Sequence, residues 1–246
     1  MKSKPIVALQ LWSVNKVIPT DVRGTLRKIA AMGYQGVECA GYYNLSGPEW
    51  KAALQETGLT CVGSHVGLAL FEGDKFEETV AINRALGTDR LIVPGGDLSD
   101  MPKFIDRLNA AHAKAKSVGM RSGFHNHHRE FETVNGVTKL DMIFAATPQD
   151  FLVQIDIGWA AHAHQDLAAL LHKYASRIET VHVKESCAAD PTAPVGSGDV
   201  QWPPLFALLE KEARLQAYVI EHEQHAAGPL ESVQACIDGM KRMQRA

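Results

Sequence analysis

The chain has 246 residues, 46% of them apolar, and a formal net charge of −3. That length suits one large domain with an ample core. The even charge balance, with no basic tract, makes nucleic acid a poor partner, and no apolar run is long enough to span a bilayer.

The N-terminal MKSKPIVALQLW lacks a long apolar targeting run. The four cysteines, Cys39, Cys61, Cys187 and Cys236, are scattered with no CxxC pair. A soluble, cytoplasmic protein with free thiols is therefore expected. Residues 5–11 form a short apolar run that predicts a buried strand. Thr20 and Asp21 can cap a helix to about Met32, which Gly33 ends. The pattern then repeats: strand 36–39, helix 48–57, strand 59–65, helix 74–86, strand 90–93 and helix 102–118. A fifth strand runs from Met120 to about Asn126, with a short helix over 137–145. A sixth strand at 151–156 leads through Gly158 into a helix to about Ala175. A seventh strand at 177–183, a loop rich in Pro, Gly, Ser and Asp over 184–200, and a helix at 202–213 follow. A final strand at 217–221 and a helix at 230–243 complete the chain.

Eight strand–helix units in succession require parallel crossovers. Closure into a single (β/α)8 barrel accounts for residues 1–246 with no segment left over. The polar strand ends favour the barrel over an open doubly wound sheet. They come from widely spaced units, and an open sheet would spread them along an edge at about 4.8 Å per strand.

Those strand ends carry the chemistry. Asp156 closes QID, His182 lies in TVHVKE, and Glu221 ends YVIE. Imidazole and carboxylate at successive strand mouths suit a divalent metal. Capping competes with ligation at Asp156, since Asp is a good helix N-cap. A strand histidine such as His182 can also be a packed core residue. Three of the 11 histidines crowd the fifth strand's end, at His125, His127 and His128. The period of two puts His125 and His127 on one face, so either or both could reach the metal. Lys184 shares a face with His182 and could balance an oxyanion or enolate. Glu221 and Glu223 could share a face, one binding metal and the other carrying protons. Glu38 and His65 end strands two and three, placed to touch substrate hydroxyls or move protons. The Gly196-Ser197-Gly198-Asp199 run lacks the strand–helix context of a dinucleotide fingerprint and reads as a flexible loop over the mouth.

The segments GVECAG (36–41), SH (64–65), GFHNHHREFE (123–132), QIDIGWAAHA (154–163), TVHVKE (180–185), VGSGDVQW (195–202) and VIEHE (219–223) resemble the xylose isomerase-like TIM barrel superfamily of sugar phosphate isomerases and epimerases. The likeness implies four metal ligands from strands five to eight: His125, Asp156, His182 and Glu221. Many members have glutamate at the first position, where this chain reads FHNH. His127 and Glu130 are then the substitutes for His125. The mixed ligand set fits Mn, Zn, Co or Fe better than Mg or Ca.

The expected activity is a metal-dependent isomerase or epimerase acting on a sugar or keto-sugar through an ene-diolate. Glu38, His65 or Glu130 would move the proton, with Lys184 balancing charge and His127, Trp159 and Glu223 contacting the carbohydrate. A lyase or dehydratase that expels a β-substituent after the same proton abstraction is the alternative. A sugar-binding barrel without catalysis is the reading from another class. An endonuclease of the related branch would need more ligands and a basic face. Absence of an evident phosphate grip points to a non-phosphorylated substrate, and self-association is left open.

Overall fold

Short apolar strands alternate with amphipathic helices, and a strand hydrogen-bonded on both edges needs a cover on its outer face. The computed structural model, which describes residues 4–246, meets that need with a ring of eight parallel strands inside a layer of helices. Residues 1–3 of the N-terminal segment discussed above lie outside the described residues.

The strands are β1 (Ile6–Gln10), β2 (Gly36–Ala40), β3 (Thr60–His65), β4 (Arg90–Val93), β5 (Arg121–His125), β6 (Leu152–Gln154), β7 (Thr180–Val183) and β8 (Ala217–Ile220). Each pairs with its neighbour in sequence, and β8 pairs back onto β1 with Ile6 opposite Ala217. The seam between β6 and β7 is thin. It consists of bridges at Val153–Ile178 and Asp156–His182, with His182 N–H donating to the Ile155 carbonyl at 2.9 Å. That seam sets Asp156 directly beside His182.

The helices are α1 (Val22–Met32), α2 (Gly47–Thr57), α3 (Lys75–Leu86), α4 (Met101–Ser117), α5 (Lys139–Ala145), α6 (Ile157–His162), α7 (Leu167–Tyr174), α8 (Trp202–Glu212) and α9 (Pro229–Arg242). Asp21 caps α1 by accepting from Gly24 N–H at 2.8 Å, and Gly33 ends it at φ 105°. Left-handed backbone of this kind favours glycine. Most of the apolar core lies between strands and helices, in one cluster that includes Leu26, Trp50, Phe104, Phe124 and Phe206. A second, small cluster of Ala8, Val62, Ala217 and Val219, with Ile6 against it, fills the barrel itself. Ala8 and Gln10 share a face of β1, so the small aliphatic layer lies beneath a polar one.

Two elements differ from expectation. The helix expected after strand six is broken into α6 and α7, because His164 adopts φ 55° and Asp166 caps a new start by accepting from Ala169 N–H at 3.0 Å. Val137 and Thr138, expected in a helix, instead pair with Thr133 and Val134 in a hairpin. Its turn, Asn135–Gly136, has φ of 51° and 81°, the combination an Asn-Gly pair adopts most readily. Among the described residues no helix is long and apolar enough to cross a membrane. All four cysteines are free, although Cys39 and Cys61 bring their sulfurs to 3.9 Å.

Candidate metal centre

Strands β5 to β8 deliver His125, Asp156, His182 and Glu221 to one mouth of the barrel, where a donor atom from each lies within 4.8 Å of the others. All four side chains are buried. Asp156 uses its oxygens separately: Oδ1 accepts from Trp159 N–H at 2.7 Å as the cap of α6, while Oδ2 is buried without a hydrogen-bond partner, 3.9 Å from His182 Nδ1. The capping and ligand readings of Asp156 are thus compatible. His125 Nδ1 is likewise buried and unpartnered. Unpaired buried polar atoms are costly and mark a missing partner. Two imidazoles and two carboxylates converging with two such atoms fit a divalent cation. A donor atom of His65 lies within the same distance of His125 and His182.

Beneath this cluster is a layer that holds it in place. Glu38 is wholly buried on β2. Its Oε2 accepts from Gln10 at 2.8 Å and lies 2.7 Å from His182 Nε2, and its Oε1 accepts from Gln154 at 2.7 Å. The other nitrogen of His182, Nδ1, sits 2.6 Å from Glu221 Oε2. His65 Nε2 lies 2.9 Å from Gln154 Oε1 and 3.1 Å from Glu38, and its ring stacks on His182 at 5.2 Å. Asn126 turns inward too, accepting from Asp156 N–H at 3.1 Å.

Charge follows this geometry. Burial alone would push the His182 imidazolium down, but Glu38 and Glu221 outweigh it and raise the group to about 10. Burial also opposes ionisation of Glu221, yet the hydrogen bond and charge of His182 bring it down to about 2. Glu38 is held well below the carboxylate range, with His65 and His182 overcoming its burial. Burial lifts Asp156 to about 7, against the pull of Lys184. Burial also drives His125 well below the usual imidazole range, leaving it neutral and ready to ligate.

A cavity of about 390 Å3 opens above the cluster, with Trp12, His65, His125, His127, Glu221 and Glu223 among its walls. His127 therefore faces the cavity and is absent from the converging donor set, which His125 occupies. Glu130 is buried behind it, accepting His127 N–H at 2.9 Å, and does not join the cluster. Lys184 pairs with Glu223 and lies over the Trp159 ring at 4.9 Å. The 196–199 run, expected to be a flexible loop over the mouth, lies in the 184–200 segment, which Glu185 ties down. Its carboxylate accepts from Gly196 N–H at 2.8 Å, Val200 N–H at 3.2 Å and Trp202 Nε1 at 2.9 Å.

Gln10, Gln154, Asn126 and Trp12 were not singled out by sequence reasoning. The available signal for the glutamines was a lone polar residue near the end of an otherwise apolar strand. A larger depression of about 1220 Å3 lies at the opposite end of the barrel, among Arg90, Arg121 and Gln216. Arg90 and Arg121 there are already committed to Asp89, Glu179 and Gln216, as structural ion pairs and hydrogen bonds.

An eight-stranded barrel with two imidazoles and two carboxylates gathered at one mouth defines the class, and residues 26–245 match the profile of the xylose isomerase-like TIM barrel family. The chain belongs to that family. It is 23% identical over 188 residues to the inosose dehydratase of Geobacillus kaustophilus (strain HTA426), covering 65% of this chain and 60% of that protein's length. The fold is similar to a sugar phosphate isomerase/epimerase from Parabacteroides distasonis ATCC 8503, with a TM-score of 0.85, 19% identity, and coverage of 99% of this chain and 96% of that one. It is also similar to a D-allulose 3-epimerase from Methylomonas sp., with a TM-score of 0.73, 13% identity, and coverage of 99% and 98%.

Proposed function

We propose that this protein is a divalent-metal-dependent enzyme that shifts a proton next to the carbonyl of a sugar or keto-sugar, as an isomerase or epimerase. The observation carrying the proposal is the convergence of His125, Asp156, His182 and Glu221 with two unpartnered buried atoms beside a cavity. Mn, Zn, Co or Fe suits two imidazoles and two carboxylates. Bound there, such a cation supplies Lewis acidity to adjacent carbonyl and hydroxyl oxygens of the substrate, making the neighbouring C–H more acidic.

The chain's own residues do the rest. His65 lines the cavity while its Nε2 is held by Gln154 and Glu38, which leaves Nδ1 to accept or return a proton. Glu223 lines the same cavity, steadied by Lys184, and is the second proton carrier. Lys184 also places a positive charge near the position where negative charge develops on substrate oxygen. Glu38 has both oxygens engaged within the barrel, so its role is to position His182 and His65 rather than to touch substrate. Glu130 likewise acts through the backbone of His127. His127 and Trp159 shape the entry.

Elimination is the second reading, favoured by the likeness to a dehydratase. The test is elemental analysis of the purified protein, followed by incubation with keto-sugars in deuterated water. Deuterium entering next to the carbonyl with the skeleton unchanged supports isomerisation or epimerisation. Loss of water or another β-substituent supports elimination. Absence of bound metal even after loading sinks both.

A further inference from the structure

The depression of about 1220 Å3 at the far end of the barrel lies where the strands begin. Ile6, Thr60, Arg90 and Arg121 each open a strand and line it. Chemistry in barrels of this kind sits at the other end of the strands, so a ligand held here is separate from the substrate of the metal centre.

Five cationic side chains line the depression, Lys4, Arg84, Arg90, Arg121 and Arg214, against one acid, Asp89. Asp89 and the neighbouring Glu179 neutralise Arg90 and Arg121. Lys4, Arg84 and Arg214 remain, exposed and without a carboxylate partner among the described residues. Three uncompensated positive charges thus share one concave surface on a chain whose net charge is −3. Exposed arginines elsewhere mostly face acids: Arg23 and Arg27 pair with Glu56, Arg107 with Glu72 and Arg129 with Glu132. Among the described residues, Arg84, Arg214 and Arg242 are the exposed arginines that lack a carboxylate, and two of these three line this depression. Arg84 donates through Nη2 to the Val118 carbonyl at 2.7 Å, which anchors its guanidinium and leaves Nε and Nη1 unbonded among the described residues. A concave surface lined by one sign of charge concentrates ions of the other.

We propose that this depression is a binding site for a small molecule carrying two phosphoryl groups on a non-aromatic body, held away from the metal centre. Guanidinium forks match phosphate oxygens in paired hydrogen bonds. One phosphoryl group carries about −1.5 to −2 charges at pH 7, so two are needed to answer three cations. Ile6, Val62 and Leu215 supply apolar wall, and no aromatic ring is present among the described wall residues for a nucleobase to stack on. A compact aliphatic bisphosphate therefore fits better than a nucleotide.

The test is calorimetric titration of the Mn-loaded protein at low ionic strength with propane-1,3-diol bisphosphate and, in parallel, with propyl phosphate. The expected result is binding of the bisphosphate about tenfold tighter than the monophosphate or better, weakening steeply as salt is added because the cations are exposed. Arg84→Gln keeps a donor for the Val118 carbonyl, and Arg214→Gln breaks no bond within the described residues. Each should weaken the bisphosphate by about fivefold or more, whereas Asp156→Asn, at the opposite mouth, should leave its affinity within about twofold. Absence of bisphosphate binding, equal affinity for the two probes, or an affinity that both arginine variants retain overturns the site. So does a loss confined to Asp156→Asn, which places the anion at the metal mouth instead.

Discussion

His182 Nε2 lies 2.7 Å from Glu38 Oε2, although the two residues are 144 positions apart and on strands, β7 and β2, three places apart around the ring. The contact fixes the ring so that Nδ1 faces Glu221 and the ligand cluster. A carboxylate behind a ligating histidine sets ring orientation and raises its basicity. Glu38→Gln is therefore expected to weaken metal binding roughly 10–100-fold. Competition with a chelator measures this, and an unchanged affinity would remove Glu38 from the positioning role. Glu38→Ala should additionally leave Gln10 and Gln154 without their acceptor and lower the denaturation midpoint.

The cap that Asp156 makes and the ligand role proposed for it can be separated by substitution. Asn keeps an oxygen for the Trp159 N–H, whereas Ala removes both cap and charge. Asp156→Asn should lose bound metal with little change in the stability of the metal-free protein. Asp156→Ala should lose metal and about 1 kcal/mol of stability as well. Elemental analysis and urea denaturation of the two variants read the two effects; retention of stoichiometric metal in both would refute the ligand assignment.

The pH dependence of stability should change sign with metal. In the metal-free protein His182 is raised to about 10 and Asp156 to about 7, both above their unfolded values. A raised group holds its proton more tightly when folded, so its stabilisation is complete below the unfolded value and is lost as pH climbs through the folded one. The share of Asp156 is thus lost by about pH 7, and that of His182 makes metal-free protein melt at progressively lower temperature from about pH 7 to pH 10. Metal binding requires the deprotonated ligands, so affinity should rise over the same interval and oppose that loss. Melting curves at several pH values, with chelator and with added metal, compare the two; parallel trends would contradict this account.

The ion pairs of Glu179, at the opposite end of the barrel, should govern stability alone. Arg90 donates to Glu179 at 3.0 Å, and Arg121 reaches Glu179 at 2.7 Å and Asp89 at 2.8 Å. Arg90 and Glu179 are largely shielded from solvent. Glu179→Ala leaves Arg90 in a buried setting without its carboxylate and should cost roughly 2–3 kcal/mol, moderated by the remaining bonds to Val62 and Gln216. Metal content should not change. A variant that kept its denaturation midpoint would show that solvent already screens the pair.

The sequence by itself determined the alternation of strands and helices and the places where each strand mouth turns polar. Glycines and caps act locally: Gly33 ends α1, and Asp21 starts it, through contacts within a few residues. The identities of Asp156, His182 and Glu221 as metal-type groups at strand ends are equally local. Choosing between His125 and His127 was not. Alternation puts both on one face only while the strand continues, and β5 stops at His125, after which the chain turns and His127 faces the cavity. The roles of Glu38, Gln10 and Gln154 were also beyond the sequence, because they depend on closure of the ring. Only when β8 pairs with β1, and β6 meets β7, do side chains from β1, β2, β6 and β7 share one interior layer. Spacing along a chain encodes periodicity within an element, whereas contacts across a barrel are set by register and closure, which no single segment specifies.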